Sequence, residues 1–118
     1  MKYIDGFLLV VPTKKLPAYK AIAKIAARVW MKHGALEYRE CIGDDFTAQM
    51  GVPFAKRTGV KKGETIVFSW IGYRSRAHRD AVNKKVMADK KMAEMCGAPM
   101  PFEMKKMSYG GFSVLVDG

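Results

Sequence analysis

The chain has 118 residues, and its 21 Lys and Arg residues against 11 Asp and Glu residues give a formal net charge of +10 at pH 7. This length suits one hydrophobic core, so we predict a single domain over residues 1–118. With 49% hydrophobic and 27% charged residues, the composition excludes an intrinsically disordered chain. The excess of positive charge raises the question of an anionic partner.

The N-terminal part of the chain predicts a strand followed by an amphipathic helix. Residues Tyr3–Val11 (YIDGFLLVV) are apolar and rich in β-branched and aromatic side chains, and Pro12 follows them. Thr13 is the expected N-cap of the helix, and Gly34 is its expected stop. The apolar face of this helix repeats at spacings of three and four and consists of Tyr19, Ile22, Ala23, Ala26, Val29, Trp30 and His33.

The middle of the chain combines a short strand with a long segment that lacks hydrophobic periodicity. Ala35–Ile42 (ALEYRECI) alternates imperfectly, which predicts a strand with one face in a packed layer. From residue 43 to residue 63, glycines, a proline and clustered charges replace the pattern. A connection of about 20 residues is long for a compact domain. It indicates a flap, an arm across a neighbouring subunit or a disordered loop.

The C-terminal half predicts two strands and one helix. Glu64–Gly72 (ETIVFSWIG) is β-branched, aromatic and largely apolar, which predicts a strand buried on both faces. Ser75 is expected to cap a helix that runs from Arg76 to about Met95, with Gly97 after its end. Tyr109–Val116 (YGGFSVLV) is the expected final strand.

These elements follow the order β-α-β-β-α-β, which is the ferredoxin-like arrangement of an α+β fold. Two helices then cover one face of a four-stranded antiparallel sheet. The side chains of Phe7, Phe68 and Trp70 cannot all lie beneath those helices. We therefore predict a homodimer whose sheets pack face to face.

Hydropathy and cysteine spacing predict whether the protein associates with a membrane and in which compartment it lies. The longest apolar run, Phe7–Val11, is far shorter than the roughly 18 residues of a membrane-spanning helix. We expect no membrane association and no signal peptide. Cys41 and Cys96 match neither a zinc motif nor a redox pair. We expect two free thiols in the cytoplasm, with no metal and no cofactor.

Four stretches of the chain resemble the YbaA-like family of bacterial domains of unknown function. They are YIDGFLLVVP (3–12), VWMKHGALEYRECIGDD (29–45), GETIVFSWIGYRSRAHRDAVNKKVMAD (63–89) and MPFEMKKMSYGGFSVLV (100–116), whereas the segment 46–62 departs from the family. The resemblance implies a dimeric α+β barrel, a superfamily that includes monooxygenases, heme-degrading enzymes, lactone isomerases and stress-response proteins. It also implies that ligands lie between the sheet and the helices or within the barrel. It implies no established activity or catalytic residues.

The junction of the third strand and the second helix forms the first candidate site. It gathers Arg74, Arg76, His78, Arg79 and Asp80. A helix N-terminus carries partial positive charge and free N–H groups, so Arg76 and Arg79 are candidate ligand-binding residues for a carboxylate or phosphate. His78 is the candidate general acid or base near neutral pH. The alternative interpretation is that His78 packs, half-buried, at the edge of the apolar helical face.

Polar and aromatic side chains on the strands form the second candidate site. Tyr38 and Glu40 are candidate catalytic residues. Asp5 and Glu40 are the carboxylates of interest, because a buried carboxylate has a raised pKa and can transfer protons. Asp5 and Trp70 are candidate ligand-binding residues on the same sheet. The alternative interpretation of Glu40 is an ion pair with Arg39 at the rim of the sheet.

Positive charge is concentrated in the predicted helical layer. Residues 14–33 contain six Lys or Arg and no Asp or Glu, and Lys20, Lys24, Arg28 and Lys32 form a row opposite the apolar face. Such a row is usually a solvated surface. The fragment KKMSYGGFSV (105–114) falls on the fourth strand, whereas the RNA-recognition signature belongs on the third. Nucleic acid is therefore not the expected partner.

Two classes of function remain open from the sequence. The first is a small-molecule enzyme or binding protein that acts on a hydrophobic substrate, as monooxygenases and isomerases of the dimeric α+β barrels do. The second is a non-enzymatic dimer whose basic helical face contacts anionic partners. A pocket of more than about 300 Å³ with His78 or Glu40 on its wall favours the first class. A solid core beneath a continuous basic surface favours the second.

Overall fold

A computed structural model describes residues 1–47 and 49–118. Its strands are β1 (Tyr3–Pro12), β2 (Glu37–Ile42), β3 (Glu64–Tyr73) and β4 (Ser108–Ser113). Its helices are α1 (Leu16–Lys32), α2 (Phe54–Thr58), α3 (Arg76–Met87) and α4 (Lys90–Cys96). The strands form one antiparallel sheet in the order β2-β3-β1-β4, which confirms the predicted α+β class. No helix within these ranges is long and apolar enough to cross a membrane.

The hydrophobic core lies between one face of the sheet and the helices, and it divides into two clusters. At one end of the sheet, Leu9, Val11 and Val67 pack with Tyr19 of α1. The larger cluster lies towards the other end and consists of Tyr3, Val29, Ala35, Ile71, Tyr73, Val82, Val86 and Met92. The odd-numbered residues of β1 and β3 face the helices, whereas Val10 and Ile66 are buried on the opposite face of the sheet.

The first helix begins later than the sequence predicts. A single 3-10 turn covers Thr13–Lys15, and α1 starts at Leu16. Thr13 does not cap the helix, because its hydroxyl lies 2.8 Å from the hydroxyl of Thr65 on β3. The predicted stop at Gly34 is correct. Its φ of +111° lies in the left-handed region that favours glycine.

The predicted helix from Arg76 to about Met95 is two helices. Ser75 caps α3 as predicted, since its hydroxyl accepts the backbone N–H of His78 at 3.1 Å. The chain leaves helical geometry at Asp89, whose carboxylate caps α4 by accepting the Lys91 N–H. Aspartate is a strong N-cap residue. Asp89 is therefore the residue in the sequence that indicates the break between α3 and α4.

Asp89 also ties α4 to the end of α1. Its carboxylate lies 2.7 Å from His33 Nε2 and 3.5 Å from Lys32 Nζ. The hydrogen bond to His33, together with the Lys91 N–H, holds the pKa of Asp89 at about 2. This contact positions the helix that forms one wall of the pocket described below.

The segment 43–63 contains a helix that the sequence does not predict. The short helix α2 ends at Gly59, whose φ is +68°. The ring of Phe54 lies 6.1 Å from that of Phe68, so α2 borders the face of the sheet turned away from α1. Residue 48 lies outside the described residues. The role of this segment as a flap or an arm stays a prediction.

Part of the sheet face turned away from α1 and α3 is apolar and exposed. We call it the open face and define it by Ile4, Leu8, Phe68, Trp70 and Phe112, which line a shallow depression of about 500 Å³. Phe68 is 43% exposed and Phe112 is 63% exposed. The expectation that Phe7, Phe68 and Trp70 do not all lie beneath the helices is confirmed, because Phe68 and Trp70 line this depression while Phe7 also lines the space between the sheet and the helices.

Candidate functional site

A pocket of about 180 Å³ lies between the sheet and the helices. We call it the inner pocket. Its apolar lining from the sheet and α1 is Phe7, Leu9, Ile71, Ile22, Ala26 and Trp30. Its opposite wall comes from α4 and the segment after it and includes Met92, Met95, Cys96, Met100, Phe102 and Met107. The lining of the pocket is therefore mainly apolar and contains few polar groups.

Glu40 is the carboxylate on the wall of the inner pocket. It lies beside Ser69 of β3 in the sheet register, and Ser69 lies beside Phe7 of β1. The Tyr19 hydroxyl donates a hydrogen bond of 2.7 Å to Oε1 of Glu40. The Tyr38 hydroxyl donates one of 2.8 Å to Oε2. Two phenols thus fix the carboxylate at the boundary between α1 and β2.

The two tyrosines are hydrogen-bond donors rather than bases. Burial raises the pKa of both Tyr19 and Tyr38 well above the ordinary value for tyrosine, and the neighbouring Glu40 charge raises it further. Both phenols therefore stay protonated at physiological pH. The Glu40 carboxylate accepts both of their hydrogen bonds.

A second concavity on the outside of the molecule shares part of its lining with the inner pocket. This outer groove, of about 740 Å³, runs between α1 and β2. It shares Tyr19, Ala23, Tyr38 and Glu40 with the inner pocket. Its remaining lining is Leu16, Pro17, Lys20, Lys24, Ala27, Ile42 and Val67. The Glu40 cluster therefore stands at the boundary of the two spaces.

The structure brings together Tyr38 and Glu40 of the predicted catalytic set and places His78 elsewhere. His78 Nδ1 accepts the backbone N–H of Arg74 at 3.0 Å, and its Nε2 faces Gly34. Burial of the ring, together with the Arg74 charge, lowers the pKa of His78. The imidazole joins the start of α3 to the end of α1. This geometry favours a packing role for His78 over a role as general acid or base.

Asp5 and Arg79, both predicted to bind a ligand, bind each other. Arg79 Nη1 donates to Asp5 Oδ1 at 3.0 Å, and Nη2 donates to the Tyr3 hydroxyl at 3.0 Å. Gly111 on β4 has no side chain to displace that hydroxyl. Burial raises the pKa of Asp5 even though the Arg79 guanidinium acts to lower it. The pair anchors α3 to β1.

The other two predicted ligand-binding residues lie apart from the inner pocket. Arg76 is exposed at the first position of α3. Trp70 lies on the open face, where its Nε1 donates to Glu37 at 3.2 Å. The sequence placed Trp70 and Tyr38 on one sheet, but strand alternation directs them to opposite faces.

Sequence reasoning missed Tyr19 as a polar member of the site and assigned it to an apolar helical face. A buried tyrosine hydroxyl usually has a hydrogen-bond partner, which was the available signal. Asn83 was missed too. Its Oδ1 accepts from Trp30 Nε1 at 3.1 Å and from the Tyr73 hydroxyl at 3.3 Å. This amide joins α1, α3 and β3.

No cluster of three His, Cys, Asp or Glu side chains in residues 1–47 and 49–118 is arranged to hold a metal ion. The polar groups that face the inner pocket are instead those of Tyr19, Tyr38, Glu40 and Ser69.

Comparisons with known proteins agree with the resemblance seen in the sequence. The solved structure described as "Structure of Rv0793 from Mycobacterium tuberculosis" superimposes with a TM-score of 0.60 at 10% identity, covering 99% of this chain and 98% of that one. This similarity concerns the fold alone. The chain is 42% identical over 117 residues to "Uncharacterized protein YbaA" of Escherichia coli (strain K12) and of Shigella flexneri, covering 99% of each sequence. The family model described as "Protein of unknown function (DUF1428)" matches residues 2–104. The chain therefore belongs to the DUF1428 family, as its resemblance to YbaA-like proteins predicts.

Proposed function

We propose that this protein binds a small hydrophobic molecule in the inner pocket and transfers a proton on it through Glu40. The observation that carries the proposal is a carboxylate on the wall of an apolar pocket, with each oxygen held by a tyrosine hydroxyl. Ligand sites are typically apolar spaces with a few placed polar groups. The inner pocket alone is smaller than the roughly 300–1,000 Å³ of typical sites, and the outer groove adjoins it through shared lining residues.

The arrangement suits an isomerisation that proceeds by proton transfer. A carboxylate beside a carbon acid takes the proton from one carbon, and the same group returns it at another carbon. The phenols of Tyr19 and Tyr38 hold the carboxylate in place during both steps. Electrons and protons balance within the substrate and Glu40.

We also propose that the protomer is ferredoxin-like and dimerises through the open face as a dimeric α+β barrel. The strand order β2-β3-β1-β4 and the exposed aromatic rings of Phe68 and Phe112 support this architecture. A face of this kind is unusual on a monomer. A cytoplasmic location belongs to the same proposal, because a reducing compartment suits the exposed cysteines Cys41 and Cys96.

Filling the inner pocket is expected to weaken ligand binding. Replacing Ala26, a buried residue of α1 that lines the pocket, by Leu places extra methyl groups in the space. The dissociation constant of the neutral probe 1-naphthaleneacetamide should rise about tenfold or more, because overpacking costs about 1–3 kcal/mol. The measurement is titration calorimetry. Ala21→Leu, at an exposed position of the same helix, is the matched control and should bind as the wild type does. Equal binding by the two variants, or no saturable binding by the wild type, would overturn the pocket assignment.

Glu40→Gln is expected to abolish proton transfer while keeping the shape of the site. The probe is 1-naphthylacetone, a neutral ketone whose α-hydrogens exchange with D2O through the enolate. Exchange catalysed by the wild-type protein, followed by NMR, should fall by about 100-fold or more in the variant. Binding of 1-naphthaleneacetamide should stay within about twofold, since Gln keeps the size of the side chain. Exchange at an unchanged rate in Glu40→Gln would remove Glu40 from the base role.

A further inference from the structure

The rim of the outer groove carries positive charge that the proposed proton transfer does not use. Lys20 and Lys24 lie four residues apart on α1, so they project from the same side of the helix. Both are exposed and both line the outer groove. In the described parts of the chain, neither takes part in an ion pair.

The charges change in a definite order from the outside of the molecule inwards. Two ammonium groups stand at the rim of the groove, the Glu40 carboxylate stands at the boundary, and the inner pocket beyond it is apolar. A negative group carried past Glu40 would meet like charge in apolar surroundings. A negative group left at the rim would meet Lys20 and Lys24.

We propose that the ligand of this site is an amphipathic anion. Its carboxylate or phosphate head lies at Lys20 and Lys24, and its apolar body passes Glu40 into the inner pocket. This inference rests on the proposed function and names the chemical class of the molecule that the site takes.

Basic residues outside the outer groove provide a control for a general effect of positive charge. Arg28 and Lys32 belong to the same row but do not line the outer groove. Lys32 lies 3.5 Å from Asp89. Arg28 and Lys14 are exposed, so replacing both changes the net charge as much as replacing both rim lysines does.

The test compares two probes of the same shape, 1-naphthaleneacetate and its neutral amide. Wild-type protein should bind the carboxylate about fivefold or more tightly than the amide, because two exposed charge contacts together contribute a factor of this order. The preference should shrink at high salt. In Lys20→Gln/Lys24→Gln the preference should disappear, while the affinity for the amide stays unchanged. Lys14→Gln/Arg28→Gln should keep the preference.

The outcomes distinguish this inference from the function on which it rests. If the wild type binds the amide but does not prefer the carboxylate, the inference is overturned and the pocket proposal stands. A preference that survives in Lys20→Gln/Lys24→Gln, or is lost equally in the control pair, overturns it as well. Failure of the wild type to bind either probe contradicts both proposals.

Discussion

Replacing Arg79 by Met is expected to lower the free energy of unfolding by about 3 kcal/mol or more at pH 7, because it leaves a buried carboxylate without its partner. The guanidinium donates to Asp5 and Tyr3, and both of these residues are buried. Met keeps much of the apolar stem of the side chain, so the loss comes chiefly from the charge and its hydrogen bonds.

The destabilisation should depend on pH in a direction that the Asp5 environment determines. Burial already raises the pKa of Asp5 above its ordinary value, and removal of the Arg79 charge raises it further. A group whose pKa is raised on folding contributes stability that is present below its unfolded pKa and lost as the pH rises through the folded pKa. The deficit of Arg79→Met should therefore be smallest near pH 4 and largest at neutral pH.

Urea unfolding at about pH 4 and at pH 7 measures both effects. Arg76→Met is the matched control, since Arg76 is an exposed arginine on the same helix, and it should change stability little. Adding Asp5→Asn to Arg79→Met should restore part of the lost stability at pH 7, because the unpaired charge is gone. A deficit below about 1 kcal/mol that is equal at both pH values would contradict a buried ion pair.

Replacing Phe68 by Glu is expected to convert a dimer into a monomer and to raise the dissociation constant about 1,000-fold or more. In a symmetric dimer built on the open face, both copies of this residue enter the same interface. Each introduced carboxylate would then lose its water on association. Phe68 is 43% exposed in the protomer, so the variant can keep its fold.

Light scattering across a concentration series measures the result. Met87→Glu introduces the same charge at an exposed position of α3, on the helical side of the molecule, and should leave the dimer intact. A wild-type protein that is a stable monomer at micromolar concentration would contradict the dimeric architecture. A dimeric Phe68→Glu variant would contradict the open face as the interface.

The secondary structure was largely readable because its signals are local. The third strand was predicted as Glu64–Gly72 and is observed as Glu64–Tyr73, since alternation and β-branching act over a few residues. The break at Asp89 was missed because an N-cap residue inside a helical pattern looks like one more polar position. The helix Phe54–Thr58 was missed because five residues carry too little periodicity to detect.

In the candidate site, too, some contacts join residues that are close in the sequence and others join residues that are far apart. Tyr38 and Glu40 are two residues apart on one strand, so strand alternation places them on one face. Tyr19 reaches Glu40 only because α1 packs across β2, and Arg79 reaches Asp5 across 74 residues of chain. The alignment of such groups depends on sheet register and helix packing, which sequence periodicity does not encode.

The sequence by itself determined the α+β class, the family, the charge of α1 and the pair of strand residues at the site. Tertiary structure alone decided which arginine pairs with Asp5, that the imidazole of His78 bonds to the backbone, and that Lys20 and Lys24 line the same groove as Glu40. The physical reason is that periodicity assigns a side chain to a face. The packing of α1 and α3 on the sheet then decides what that face meets.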